Sequence, residues 1–172
     1  MCDISPVRNW LIATLVAIFA AVSIVIGAAI ANNIWYLAWT SPIGMALAAG
    51  ATGLAILFCG LAASALDTFC KCAGPRCAGP CGNLASVLVA ARVVLGIQAT
   101  ACLWAALQAW IPGAGQFLMW IIVGAMLIQA ALLISAIAFL SQLSSCQMAP
   151  TGPTGPPTGA GPGSSGTPPK PV

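Results

Sequence analysis

Four stretches of mainly apolar residues follow one another along the chain, and they constrain the fold more than any other feature. A helix needs about 20 such residues to cross the hydrocarbon core of a bilayer. The predicted spans cover residues 9–31, 43–66, 83–110 and 116–143. Charged residues make up only 4% of the chain, too few for a water-facing surface, since about a quarter of a soluble domain is charged. The sequence predicts an all-α membrane protein with four transmembrane helices in an antiparallel bundle.

The remaining residues divide into termini and connections around a single transmembrane domain, residues 9–146. Residues 1–8 form a short N-terminus, and residues 32–42, 67–82 and 111–115 form an aromatic loop, a cysteine-rich loop and a tight turn. Residues 147–172 form a tail rich in Gly, Pro and Thr. Such a composition cannot bury enough apolar surface to fold, so the tail is expected to be disordered.

The first span has an alternative interpretation as a cleaved signal peptide. Ala29-Ile30-Ala31 resembles a cleavage site, and Arg8 supplies a basic start. The apolar core from Leu11 to Ala31 is longer than the 7 to 15 residues typical of a signal peptide. The sequence therefore favours a retained membrane anchor.

The basic residues predict an orientation. Arg8, Lys71, Arg76 and Arg92 lie at the N-terminus or around the cysteine-rich loop, and the other two connections carry none. By the positive-inside rule, both termini and this loop are expected to be cytoplasmic. Aromatic residues gather at the opposite interface, where amphipathic rings are favoured. They are Trp35, Tyr36, Trp39, Trp110, Phe117 and Trp120.

The residue inventory limits the chemistry that the chain can perform. It contains no His and no Glu, and its two side-chain carboxylates are Asp3 and Asp67. Metal sites with histidine, Ser-His-Asp triads and paired-carboxylate hydrolysis all need residues that are missing. No catalytic residue is predicted, and the chain is expected not to be an enzyme.

Cysteines are the remaining candidates for a chemical site. Eight are present, and Cys70, Cys72, Cys77 and Cys81 fall within one loop. Four thiolates can hold Zn or an iron-sulfur cluster, although the spacing C-x-C-x4-C-x3-C lacks the common C-x2-C pair. Disulfide bonding is another interpretation, which needs an oxidising compartment and hence the inverted orientation. Reversible acylation is the third. Its candidate residues are Cys2, Cys70, Cys72 and Cys146.

Three of the polar residues inside the predicted spans are candidates for specific contacts. Gln98 and Gln129 are about equally far from the turn between the third and fourth spans, so the two amides are expected to form a hydrogen bond within the bilayer. A polar lining for a transport path is the functional alternative. Arg92 is expected near the interface, where it could reach lipid phosphates or Asp67.

The second span carries pairs of small residues spaced four apart, which allow close helix packing within the chain or between subunits. The pairs are Gly44/Ala48, Ala49/Gly53 and Gly60/Ser64. The sequence predicts a non-enzymatic structural or accessory component of a membrane assembly. Its partners are the lipid bilayer and other membrane subunits or a second copy, without nucleic acid. The alternatives are a metal or redox protein using the cysteine-rich loop, and a small transporter or channel.

Overall fold

The computed structural model describes residues 2–35, 40–107 and 114–148, and these residues are helical almost throughout. The α-helices are α1 (Ser5–Trp35), α2 (Thr40–Ala73), α3 (Ala78–Leu107) and α4 (Ala114–Met148). A single 3-10 turn, Pro75–Cys77, lies between α2 and α3, and no strand occurs within the described ranges.

Each α-helix contains a segment long and apolar enough to cross a membrane. These segments are Ser5–Ile30, Pro42–Ala73, Ala78–Leu107 and Trp120–Cys146. The prediction of an all-helical fold with four helices able to span a membrane is confirmed for the described residues. The sequence located all four helices, because uninterrupted apolar stretches of this length have few other structural outcomes.

The helices are longer than the predicted spans, and the difference is greatest in the predicted cysteine-rich loop. Helix α2 continues through Cys70 and Cys72 to Ala73, and α3 begins at Ala78, before Cys81. The reversal between them takes only a few residues. It begins at Gly74, which has a positive φ of 76° that residues with a Cβ rarely adopt.

Several predictions fall on residues outside the described ranges. These are residues 36–39 of the aromatic loop, residues 108–113, which include the first part of the turn, and the tail beyond residue 148. The predicted disorder of the tail and the predicted clustering of Tyr36, Trp39 and Trp110 at one interface therefore stay predictions.

Contacts between helices follow the order of the chain. Helix α1 packs on α2, α2 on α3 and α3 on α4, whereas α1 and α4 approach each other at few positions. Small side chains dominate the interior, and the buried alanines are Ala17, Ala21, Ala28, Ala48, Ala55, Ala62, Ala101, Ala125 and Ala136. Large apolar side chains such as Phe19, Trp120 and Ile134 point outward and are at least 70% exposed. An apolar exterior suits contact with lipid, in which helices associate by close packing.

The buried apolar residues form two separate clusters. The first includes Ile18, Ala55, Leu95 and Ala136, with Leu66, Leu84 and Leu143 nearer the cysteine-containing ends of the helices. The second consists of Val25, Met45, Ala48, Ala101, Cys102 and Ile122. Residues between these clusters along each helix therefore occupy a distinct level of the bundle.

Candidate functional site

Six of the eight cysteines are paired in three disulfides, which we call the disulfide cluster. The bonds are Cys2–Cys72, Cys70–Cys81 and Cys77–Cys146, with Cα–Cα distances of 5.8, 6.1 and 6.1 Å. Distances of this size are ordinary for disulfides. Two of the bonds join residues that are 70 and 69 positions apart in the sequence, and the third joins residues 11 apart.

The disulfide cluster connects one end of every helix. Cys2 precedes α1, Cys70 and Cys72 lie in the last turn of α2, Cys81 lies in the first turn of α3, and Cys146 lies near the end of α4. The bonds therefore join α1 to α2, α2 to α3, and α4 to the 3-10 turn that contains Cys77. Since neighbouring helices are covalently linked, separation of their ends is restricted.

The four residues of the metal hypothesis are distributed over all three bonds. Cys70 and Cys81 pair with each other, whereas Cys72 and Cys77 pair with residues far away in the sequence. Within residues 2–35, 40–107 and 114–148, no group of three or more Cys or Asp side chains is arranged to hold a metal ion. The six bonded cysteines also include every acylation candidate, and a sulfur in a disulfide cannot carry an acyl group. Metal binding and acylation would both require these bonds to open.

Charged side chains lie near the same end of the bundle. Asp67 accepts a hydrogen bond from Lys71 at 2.6 Å, and both side chains are well exposed. An exposed pair four residues apart in a helix contributes about 0.3–0.5 kcal/mol. At the start of α1, the backbone N–H and the hydroxyl of Ser5 both donate to the Asp3 carboxylate, and these hydrogen bonds hold the pKa of Asp3 below its usual value.

Arg92 of α3 lies beside Gly60 of α2 and not beside Asp67, which is farther along the same helix. A Cβ added to Gly60 would be 3.9 Å from the central guanidinium carbon of Arg92. The Arg92 residue is exposed on the bundle surface, and Asp67 is occupied by Lys71. Gly60 is seven residues before Asp67 in α2, which corresponds to about 10 Å along the helix axis. The guanidinium therefore lies about 10 Å from the level of Asp67 along α2, on the exposed surface of the bundle.

A layer of polar side chains separates the two apolar clusters, and we call it the polar layer. It consists of Thr52, Gln98 and Gln129, whose exposures are 0%, 0% and 3%. In α2, Thr52 lies between cluster residues Ala48 and Ala55. Gln98 and Gln129 occupy the corresponding positions in α3 and α4, and Gln129 Nε2 donates a hydrogen bond to Gln98 Oε1. The two amides that the sequence predicted to meet are thus in contact.

The amide contact leaves two polar atoms without a partner. Gln98 Nε2 and Gln129 Oε1 are buried and make no hydrogen bond. The buried hydroxyls differ, because Thr52 donates to Ala48 O and Thr14 donates to Trp10 O, both at 2.8 Å within their own helices. These two threonines were not among the residues predicted from the sequence. The available signal was their position on the same helix faces as the buried alanines.

The two free cysteines, Cys59 and Cys102, are buried. The Cys59 thiol donates to the carbonyl oxygen of Leu88 at 3.5 Å, which links α2 to α3. Cys102 belongs to the second apolar cluster. Both behave as small packing residues, as free cysteines in apolar interiors usually do.

The small-residue pairs of α2 have different surroundings. A Cβ added to Gly44 would be only 2.5 Å from the Cβ of Ala28, so this pair serves the contact with α1. In the Gly60/Ser64 pair, Gly60 faces Arg92 of α3. Gly53 is exposed and has no atom within 4 Å of such a Cβ, whereas Ala49 of the same pair packs against the second apolar cluster.

No family model matches the chain, and no curated protein or solved structure resembles it significantly. The clustered sulfurs of residues 70–81 were predictable from the sequence, but their disulfide partners were not. The available signal was that Cys2 and Cys146 lie close to the outer ends of the first and fourth apolar stretches, which four consecutive spans would bring to the same side of a bilayer.

Proposed function

We propose that this chain is a non-enzymatic structural component of a membrane, an antiparallel four-helix bundle whose helix ends are fixed by disulfides on one side. The observation that carries the proposal is the disulfide cluster, which links successive helices at one end. Metal-free covalent links of this kind rigidify a small domain. The chain's chemically reactive residues are then used for structure.

Contacts between neighbouring helices support the antiparallel arrangement. Along α1 and α2, Cys2 is bonded to Cys72, Trp10 stacks on Phe58, and Ala28 lies against Gly44. The residue numbers rise on one helix as they fall on the other. The same opposition holds between α3 and α4, where Cys77, just before α3, is bonded to Cys146 and Gln98 contacts Gln129.

The disulfide cluster also supports an orientation, in which this end of the bundle faces an oxidising compartment. Disulfides persist outside the cytosol and are rare within it. The basic residues favour the opposite orientation, with cytoplasmic termini, but only Arg8, Lys71, Arg76 and Arg92 contribute to that signal. Three bonds that involve six of eight cysteines are the stronger constraint, because each would be reduced in the cytosol.

Retention of the first span is part of the proposal. Helix α1 supplies Val7, Ile18 and Val25 to the apolar clusters, and Cys2 supplies a sulfur to the disulfide cluster. Cleavage after Ala31 would remove all of these contacts and expose the face of α2 that they cover. A bundle with α1 present is therefore the more stable arrangement.

A transporter or channel is the second candidate, since the polar layer lies at an intermediate level of the bundle. Intramembrane polar groups often mark a path for ions or substrates. Here apolar clusters border the polar layer on both sides. The first cluster includes Leu66, Leu84 and Leu143, and the second includes Ile122. Apolar packing on either side favours a structural role for the two glutamines. The open face at Gly53 is the surface we propose for self-association or for another membrane subunit.

Counting thiols tests the structural role against the metal alternative. Protein purified from membranes without reductant and then denatured should react with maleimide at two positions, Cys59 and Cys102, and at eight positions after reduction. Such protein should carry no stoichiometric Zn or Fe. Six or more reactive thiols together with roughly one equivalent of metal, lost in a Cys70→Ser/Cys72→Ser variant, would instead establish the metal site and refute the proposal.

Reduction should also weaken the bundle. Chain entropy predicts about 4 kcal/mol for each of the two long-range disulfides and about 3 kcal/mol for the short-range one. These values are upper limits, because the spans remain inserted in lipid after their tertiary contacts are lost. The melting temperature in detergent should fall on reduction, and a Cys102→Ala control should show the same fall. An unchanged melting temperature would show that the bonds have no structural role.

A further inference from the structure

A small cavity lies inside the bundle, next to the polar layer. All four helices line it, and its volume is about 20 Å³. The polar residues in its wall are Thr14, Cys59 and Gln129, and the other lining residues are Leu11, Ile18, Val87, Leu88, Ala91, Leu95, Leu132, Leu133 and Ala136. Its position follows from the packing, because α1 and α4 approach each other at few positions and leave space between them.

The cavity is large enough for one water molecule. A buried water needs about 10–15 Å³ and two or more polar partners. Gln129 Oε1 is buried and has no hydrogen bond, so it is one available acceptor. Thr14 Oγ1 donates its proton to Trp10 O, which leaves its lone pairs free to accept. Both residues line the same cavity and are at most 3% exposed.

We propose that this cavity binds a single water molecule that donates one hydrogen bond to Gln129 Oε1 and one to Thr14 Oγ1. An amide oxygen without a partner in an apolar interior costs about 1–3 kcal/mol. A water with two such partners removes that cost and connects α1 to α4, the two neighbouring helices that pack least closely. Cys59 is a weaker neighbour of this water, because its proton is used by Leu88 O.

One competing arrangement would satisfy the same oxygen without water. Rotation of the two amides could close a second hydrogen bond, from Gln98 Nε2 to Gln129 Oε1. Two observations favour the water over this pair. The single contact from Gln129 Nε2 to Gln98 Oε1 leaves the second pair of atoms apart, and the cavity borders Gln129 but not Gln98.

A crystal structure of the full chain in lipid, at a resolution that shows ordered water, tests the proposal. We expect a density peak in the cavity about 2.7–3.0 Å from Gln129 Oε1 and from Thr14 Oγ1. A Thr14→Val variant, which keeps the side-chain shape and removes the acceptor, should lose this peak. An empty cavity in the unaltered protein, or two reciprocal hydrogen bonds between the glutamine amides, would overturn the proposal.

Thr100→Val is the matched control. Thr100 donates to Gly96 O at 2.8 Å, as Thr14 does to Trp10 O, but it lies on the exposed surface of α3. This variant should retain the peak. Thr14→Val should lower the melting temperature by more than Thr100→Val does, because it alone removes a buried acceptor. Equal melting temperatures, or a peak that persists in Thr14→Val, would contradict the role of Thr14.

Discussion

At the scale of single residues, the two buried glutamines are the most informative feature of the chain. Each is a costly residue in an apolar interior, and the cost is reduced only by a partner. Gln129 donates to Gln98, and the pair lies between two apolar clusters. A polar contact at one level fixes the register of α3 against α4, because sliding either helix by one residue would separate the amides.

A double-mutant cycle measures this contact. Gln98→Leu and Gln129→Leu should each destabilise the bundle, since each leaves the other amide without its partner. The double variant should be less destabilised than the sum of the two, with a coupling of about 0.6–1.7 kcal/mol. Unfolding in mixed micelles gives the free energy of unfolding of the unaltered protein and of the three variants. Strictly additive effects would show that the two side chains do not interact.

Asp3 gives a pH-dependent prediction at the same scale. The hydrogen bonds from the Ser5 backbone N–H and hydroxyl lower its pKa from 3.8. Its contribution to ordering the start of α1 is therefore complete above pH 3.8 and is lost as the pH falls through the lowered value. The Ser5 amide chemical shift, followed by NMR from about pH 6 to pH 2, should report this transition. Asp3→Asn should abolish it, and a midpoint at or above 3.8 would contradict the assignment.

At the scale of the helices, the length of each apolar stretch predicted that a helix forms there but not where that helix begins and ends. All four spans were predictable because few structures other than helices satisfy the backbone in a bilayer. The segment predicted as a cysteine-rich loop is largely helical, since residues such as Phe69 and Lys71 allow α2 to continue until Gly74. The disulfide partners were not predictable, because pairing depends on which helix ends lie side by side and sequence spacing does not determine this.

Close packing between α1 and α2 gives the prediction for this scale. Gly44→Ala places a Cβ 2.5 Å from the Cβ of Ala28, so the two helices must separate. Overpacking of this kind costs about 1–3 kcal/mol. Gly53→Ala is the control, because nothing lies within 4 Å of its added Cβ. Unfolding free energies should fall for the first variant and change little for the second. Equal effects would show that Gly44 is not a packing position.

At the scale of the whole molecule, the bundle is organised from one end. The disulfide cluster joins neighbouring helix ends, the polar layer sets the register farther along, and large apolar side chains cover the outside. This arrangement connects the two properties that the sequence presents separately, a near absence of charge and an abundance of cysteine. The orientation that we propose rests on the chemistry of the sulfurs, and it is the opposite of that indicated by the basic residues.

Sided labelling of thiols in intact cells tests this account most directly. A reductant that cannot cross the membrane, added from outside and washed away before an impermeant maleimide is added, should allow the maleimide to label the six cysteines of the disulfide cluster. The maleimide alone should label none of them. Cys59 and Cys102 should remain unlabelled, because both are buried among the helices. If these six cysteines react without reductant, or only after the cytosol is exposed, then the disulfide-linked bundle with its cysteines on the oxidising side is contradicted.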